Sequence, residues 1–174
     1  ENNSNTLIQP QLEIGKEDEE KILNLAKNLN PGGITSYLLE LLPALAKQGH
    51  EVYLVSAGGE KERLFQEKGV HCIQGSLGTR SEVNPKVYAE IPKLLRLIRE
   101  KKIDCIHANT RVTQVLAFFL SLFSNKPFIT TVHGFYKKNW SRQILPAFGK
   151  RAIAISLPVA DSLRAHYPAL QDCV

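Results

Sequence analysis

One stretch of the chain, from Lys21 to Val55, strongly limits what it can fold into. It reads KILNLAKNLNPGGITSYLLELLPALAKQGHEVYLV. A short apolar segment predicts a strand, and a Pro-Gly-Gly loop then opens a segment whose apolar residues recur three and four positions apart. That helical pattern ends at Gly49, and a second apolar segment follows. This order is typical of a βαβ unit in a parallel sheet, where glycine loops and helix N-termini face ligands.

The same alternation continues along the chain and predicts its fold class. We expect an α/β fold with a three-layer, doubly wound parallel sheet, Rossmann-like, in a single domain. Near-continuous apolar segments such as VYLV and FITTV fit strands buried on both faces. The predicted strands are Ile22–Ala26, Glu51–Ser56, Val70–Gln74, Ile103–His107, Pro127–Val132 and Arg151–Ile155.

Helices are predicted between these strands. The first contains Pro43, which we expect to kink it or to begin a new turn. One helix is expected over Tyr88–Lys101, and Ser156 is expected to cap the last one. The remaining helical segments are Lys61–Lys68, Arg111–Phe123 and a short helix within Asn139–Gly149.

The chain divides into a polar tail and one domain. Residues 1–20 are rich in Asn and Gln and end in four consecutive acidic residues, Glu17 to Glu20. We expect this tail to be disordered or to be a remnant foreign to the protein. Residues 21–174 have the composition of a globular domain that folds without disulfides or metals, with 43% hydrophobic and 22% charged residues in the whole chain.

Charge and cysteine content restrict partners and location. The net charge is +5, which suits a phosphorylated substrate or an anionic membrane surface. The sequence shows no basic segment with interspersed aromatic residues, which is the pattern that would indicate RNA binding, so nucleic acid is disfavoured. Three cysteines without metal-ligand spacing indicate reduced thiols in the cytoplasm. No signal peptide pattern is visible, and the most apolar run, Val115–Phe123, is too short to span a bilayer. Peripheral contact with the inner membrane surface remains an open alternative.

Residues that follow the predicted strands indicate which chemistry the sheet can support. They are mainly Gly, Asn, Thr, Arg, His, Tyr and Lys, and carboxylates are nearly absent. A magnesium-dependent phosphoryl transferase is therefore disfavoured, and no metal or cofactor is predicted. The P-loop and the G-x-S-x-G elbow are missing. The NPGGI loop is not G-x-G-x-x-G, and Ser56 stands where a ribose-binding acid would be expected, so an NAD site is also disfavoured.

Three places after strands remain as candidate binding positions. The amides of Gly32 and Gly33 can approach an anion at a helix start, although these glycines could also serve a tight turn with positive φ. His133 follows a buried strand and can bond a sugar hydroxyl or act as a base, unless it is a capping or core residue. Arg111 can bind a phosphate or lie on the surface. His107 could face the core or the cleft.

A basic cluster further along, Lys137, Lys138 and Arg142 with Tyr136 and Trp140, could contact an anionic acceptor or lipid headgroups, or be a solvated face.

Four segments in this order resemble the N-terminal domain of group-1, or family-four, glycosyltransferases. They are NLNPGGITSYLLELLPALAKQGHEVYLVS, IDCIHANTR, ITTVHGFY and AIAISLPVADSLRAHY. The resemblance extends from about Lys21 to Pro168. It implies one half of a GT-B enzyme, in which two Rossmann-like domains face each other across a cleft. The N-terminal half mainly holds the acceptor and the C-terminal half mainly holds the nucleotide-sugar. The reaction implied is sugar transfer with retention of configuration and without a metal.

The resemblance also implies roles for particular residues. Gly32 and Gly33, with Gly134, match positions facing the donor diphosphate and sugar, and His133 matches a catalytic histidine near the transferred sugar. The positions that tend to line the acceptor side are Asn109, Thr110, Arg111 and Tyr136.

The family continues into a second domain where this chain stops, near Val174. We therefore expect this chain to be inactive alone and its missing half to be either truncated or a separate chain. Two other interpretations stay open at this point. One is a non-catalytic module that binds a sugar phosphate or lipid or recruits a subunit, and the other, less favoured, is a dinucleotide-binding oxidoreductase domain.

Overall fold

The computed structural model describes residues 19–135, 140–167 and 170, and its centre is a six-stranded sheet. All neighbouring strands pair in parallel, in the order β3-β2-β1-β4-β5-β6. The predicted doubly wound α/β fold is confirmed. The strands are β1 Lys21–Leu25, β2 Glu51–Ser56, β3 His71–Gln74, β4 Cys105–Ala108, β5 Phe128–Val132 and β6 Arg151–Ala154. The helices are α1 Gly33–Lys47, α2 Glu62–Glu67, α3 Pro85–Tyr88, α4 Ile91–Lys101, α5 Arg111–Ser124, α6 Trp140–Ile144 and α7 Leu157–His166.

Each face of the sheet has its own apolar core. Because side chains alternate along a strand, Tyr53 and Val55 of β2 lie in one core while Val52 and Leu54 lie in the other. The first core contains residues of α4 and α5, and the second contains residues of α1 and α2. A third, smaller core joins α7 to β5 and β6. The sheet is therefore the middle of three layers.

The strand order places a switch point between β1 and β4. The chain passes from β1 outward to β2 and β3, and then returns to β4 on the other side of β1. The loops that leave β1 and β4 therefore diverge and open a crevice beyond the carboxyl ends of the strands. Such crevices are where open α/β sheets bind ligands.

Three local predictions were inaccurate. Helix α1 continues through Pro43 to Lys47, so Pro43 does not begin a new turn, and the alternative of a kink stays a prediction. The helix expected over Tyr88–Lys101 begins three residues later, as α4 from Ile91, and Tyr88 instead ends the separate short helix α3. Pro92 lies in the first turn of α4, where a missing N–H is tolerated. Ser156 precedes α7 as expected, but its side chain makes no capping hydrogen bond. Most of the predicted tail, residues 1–18, lies outside the described residues.

Candidate functional site

A cavity lies beside the glycine loop at the carboxyl end of β1. Its volume is about 240 Å³, and it is lined by Gly32 and Gly33 together with Thr110, which follows β4. The cavity therefore occupies the switch point of the sheet. Lys27, two residues beyond β1, also lines it and was missed by sequence reasoning. The remaining lining residues are Asn28, Asn30, Pro31, Ile34 and Thr35.

The fold does not require glycine at positions 32 and 33. Gly32 has an extended backbone with φ of 166°, and a Cβ built on it would meet only the Asn30 carbonyl oxygen, at 4.0 Å. A Cβ on Gly33 or Gly134 would meet nothing within 4 Å. By contrast, Gly149 has a φ of +80°, and a Cβ there would lie 2.1 Å from the Phe128 carbonyl oxygen. The tight-turn alternative for Gly32 and Gly33 is therefore wrong, and the space beside them is open.

The N-terminus of α1 at this cavity favours an anion. Gly32 is its N-cap, so no side chain caps the helix, and its first turn carries no acidic residue. The first N–H groups of a helix have no partner within it, and together with the helix dipole they attract negative charge. With Lys27 at the same cavity, this corner of the sheet is suited to a phosphate or diphosphate group.

His133 lies at the same edge of the sheet, directly after β5, and is half-buried. Its Nε2 lies 3.3 Å from Oδ1 of Asn109, which follows β4. Its ring meets the ring of Tyr37 edge to face, with centroids 4.9 Å apart and planes at 78°. Tyr37 is one turn along α1 from the glycine loop, and Asn109 adjoins Thr110. The structure thus places His133 against α1 and the β4–α5 loop, both of which also border the glycine-loop cavity, although His133 itself does not line that cavity.

Asn109 determines which nitrogen of His133 carries the proton. Its Nδ2 donates to the Leu25 carbonyl at 3.3 Å, so its Oδ1 is the atom that faces the imidazole. An amide oxygen only accepts, and Nε2 of His133 is therefore the donor. Burial lowers the pKa of His133, which favours the neutral ring near pH 7. In that neutral ring Nδ1 is left as the hydrogen-bond acceptor.

The other predicted acceptor residues have structural partners of their own. The Thr110 hydroxyl accepts from the Thr113 N–H at 3.3 Å and caps α5. Arg111 forms an ion pair with Glu82 and donates to the Ser141 carbonyl at 3.2 Å and the Pro146 carbonyl at 3.1 Å. The guanidinium thus joins three segments of the chain, and acceptor binding by it stays a prediction.

Tyr136, with Lys137 and Lys138, lies outside the described residues, so the structure does not place these three predicted contacts. Arg142 of the same basic cluster is buried in α6, which makes a wholly solvated face wrong for that member.

The comparison with protein families decides the family. Residues 31–172 of this chain match a family model with the description Glycosyltransferase Family 4. The chain belongs to glycosyltransferase family 4. This match includes the glycine loop, both loops after β4 and β5, and α7.

Solved structures share the fold of this family-4 domain. A glycosyltransferase from Rickettsia africae is 20% identical with a TM-score of 0.75, and the match covers 90% of this chain and 42% of that one. HepE from Anabaena, solved with UDP-glucose, is 17% identical with a TM-score of 0.65, covering 84% and 40%. MurG from Acinetobacter baumannii is 14% identical with a TM-score of 0.58, covering 78% and 41%.

The family-4 chain therefore spans about two fifths of the length of these solved structures. No curated protein matches it.

A second histidine of the family-4 domain, His107 in β4, lies in the core and not in the cleft. It is 2% exposed, with Nδ1 2.7 Å from Asn24 Oδ1 and Nε2 2.8 Å from Thr131 Oγ1. Burial, with a smaller effect of the charge on His133, lowers the pKa of His107 to about 4. His107 is thus a neutral, hydrogen-bonded core residue near pH 7.

This lowered pKa predicts acid destabilisation of the domain. The unfolded chain binds a proton on His107 near pH 6.5, whereas the folded chain binds it near pH 4. Stability is therefore complete above about pH 6.5 and falls as the pH drops toward 4, by up to about 3 kcal/mol from this group. Urea unfolding at pH 7 and pH 4.5 measures the loss. H107Q, whose amide does not titrate, is expected to show a smaller loss over this interval, and an equal loss would contradict the assignment.

The described part of the chain contains neither a cluster of metal-ligating side chains nor a helix that could span a membrane. No group of three or more His, Cys, Asp or Glu side chains there could hold a metal ion. Within the same part, no helix has the length and apolarity needed to cross a bilayer. Catalysis without a metal stays a prediction.

Proposed function

We propose that this chain is the acceptor-side domain of a retaining, metal-independent glycosyltransferase, which transfers a sugar from a nucleoside diphosphate sugar to an acceptor. The family supplies the general reaction, and the arrangement of residues supplies the roles. One observation carries the proposal: an uncapped helix N-terminus beside two glycines with open space around them shares a sheet edge with a half-buried histidine.

The proposed roles follow from these positions. The amides at Gly32 and Gly33 stabilise the negative charge that grows on the diphosphate as the bond from the sugar C1 to its oxygen breaks. Nδ1 of His133 accepts a hydrogen bond from a hydroxyl of the transferred sugar and orients it. The acceptor hydroxyl attacks C1 from the face that the diphosphate leaves and passes its proton to the departing diphosphate oxygen, which retains the configuration. We assign no protein nucleophile.

A nucleotide-sugar is the proposed partner of the glycine loop. Among proteins of the same fold, HepE was solved with UDP-glucose, with UDP and glucose, and with UDP. The acceptor is proposed to be a sugar, lipid or phosphorylated molecule that approaches from the β4–α5 loop, where Asn109 and Thr110 lie. A second Rossmann-like domain is proposed to complete the donor site.

We propose a cytoplasmic location with peripheral contact to the inner membrane surface. Cys72 and Cys105 are free thiols, and burial raises the pKa of each to about 11. Such thiols are mostly protonated and unreactive, as in many proteins of reducing compartments.

Turnover by the full-length protein, as its gene encodes it, tests the proposal. The protein is incubated with UDP-, GDP- and ADP-glucose and related sugars together with candidate acceptors, and release of the nucleoside diphosphate is measured. We expect release with one donor class, a product of the same anomeric configuration as the donor, and no loss of rate in EDTA. The 174-residue chain alone is expected to be inactive.

The alternative functions give different results in the same set of experiments. Tight binding of NAD by the chain alone in calorimetry would indicate an oxidoreductase domain. Binding of a sugar phosphate without turnover by the full-length protein would indicate a non-catalytic module. An inverted product or inhibition by EDTA would contradict retention or metal independence, respectively.

A further inference from the structure

A chain of hydrogen bonds connects the interior of the sheet to the aromatic ring that contacts His133. It begins at Asn24 of β1, passes through His107 of β4 and reaches Thr131 of β5. The Thr131 hydroxyl then lies 3.1 Å from the hydroxyl of Tyr37 in α1. Asn24, His107 and Thr131 are each at most 2% exposed, and Tyr37 is half-buried. The chain thus runs from the core to the cleft.

The donors and acceptors in this chain run in one direction. With Asn24 Oδ1 facing the imidazole, His107 donates through Nδ1 and accepts at Nε2. The Thr131 hydroxyl donates to that Nε2, and its oxygen accepts from the Tyr37 hydroxyl. Thr131 therefore holds two partners with one hydroxyl, and each bond fixes the orientation of the next.

Polar side chains in the interior of a parallel sheet lower the stability of the fold relative to apolar ones. Val and Ile usually occupy such positions, because buried polar groups lose hydration that hydrogen bonds only partly replace. Here three polar side chains on neighbouring strands end at Tyr37, whose ring centroid is 4.9 Å from that of His133. A purely apolar core would leave the Tyr37 hydroxyl without this anchor.

We propose that Thr131 is a positioning residue, whose hydroxyl, held by His107, fixes the Tyr37 ring against the imidazole of His133. Two contacts then restrain the orientation of the His133 ring: the Tyr37 ring packs against it, and Asn109 accepts its hydrogen bond. The expected effect on turnover rests on the proposed function, whereas the expected effect on the orientation of the His133 ring does not.

The chain offers a matched control one residue away. Thr130 and Thr131 are adjacent in β5, and both are 0% exposed. The Thr131 hydroxyl bonds His107 and Tyr37, whereas the Thr130 hydroxyl has no hydrogen-bond partner among the described residues. The same change, Thr to Val, therefore removes two bonds at one position and none at the next.

Nuclear Overhauser effects between ring protons of Tyr37 and His133 in the 174-residue chain provide the first measurement. We expect T131V to weaken them and to shift the His133 resonances, with little change at the exposed His166. T130V is expected to leave them unchanged. T131S keeps the hydroxyl and is expected to restore them, although it loses a methyl group from the core. Y37F removes the same bond from the other side and serves if T131V does not fold.

Turnover of the full-length enzyme with its identified donor provides the second measurement. We expect T131V to lower kcat by up to about 100-fold with little change in the KM for the donor, because misplacement by about 1 Å can cost that much. T131S and T130V are expected to stay near the unaltered enzyme. A merely structural role would make T131S as harmful as T131V.

Each outcome decides the inference. An unchanged Tyr37–His133 contact in T131V overturns it, and so does an equal effect of T130V or T131S. Loss of the contact with unchanged kcat overturns the role in turnover. If the unaltered full-length protein turns over no donor, the proposed function fails, and the contact measurement alone decides whether Thr131 positions His133.

Discussion

Replacing His133 with alanine is expected to lower turnover by the full-length enzyme by about 100- to 10,000-fold, the range for loss of a positioned side chain that handles a proton or hydrogen bond. Nδ1 of its neutral ring is the acceptor we assign to a hydroxyl of the transferred sugar. The change removes that acceptor together with the ring that contacts Tyr37. Initial rates over a range of donor concentrations give kcat and KM.

The fold is expected to survive this change, because His133 is only half-buried and lies after the end of β5. Circular dichroism and urea unfolding of the variant check this. H166A is the matched control: His166 is exposed in the last turn of α7 and bonds the Ser162 carbonyl. Near-normal turnover by H133A, or an equal loss in H166A, would remove His133 from the proposed mechanism.

Placing aspartate at position 33 is expected to stabilise the domain while it weakens donor binding strongly. A carboxylate in the first turn of a helix interacts favourably with the helix dipole, by about 0.3–1 kcal/mol, and a Cβ at Gly33 meets nothing within 4 Å. The same charge beside a diphosphate is repulsive. We expect the KM for the nucleotide-sugar to rise about 100-fold or more in G33D, which is about 3 kcal/mol, while the urea midpoint stays equal or increases.

Asparagine at the same position shows whether the charge of the new side chain or its size weakens donor binding. G33N has nearly the shape of G33D without its charge, so we expect it to weaken donor binding much less. Titration calorimetry of full-length G33D and G33N with the nucleoside diphosphate measures the difference directly. Equal binding by the two variants would show that no anion lies at the α1 N-terminus, and lower stability of G33D would contradict the open space found there.

The layers and the sheet could be predicted because they depend on patterns within short segments. Short apolar segments bounded by loop residues, such as Val52–Val55, indicate buried strands, whereas the longer apolar run Val115–Phe123 lies in α5. Nearly all βαβ units share one handedness. The glycine loop and His133 were placed at one edge because the carboxyl ends of parallel strands share that edge. Most of this information is local, and one sequence is enough to reveal it.

The details that sequence reasoning missed depend on contacts between distant residues. Arg111 pairs with Glu82 and two carbonyls across the chain, which no spacing indicates. His107 could have faced either side, and its position depends on Asn24, 83 residues earlier. Lys27 could have been noticed, since it lies just past a strand end at the switch point.

The side chain of Asn109 connects the β1 backbone to the candidate site. Its single amide fastens the backbone of β1, through Leu25, and also fixes the protonated nitrogen of His133. A replacement of Asn109 that changes which nitrogen of His133 is protonated is therefore also expected to remove the hydrogen bond to the Leu25 carbonyl of β1. A single substitution at Asn109 is therefore expected to change both the cleft and the contact between the β4–α5 loop and β1.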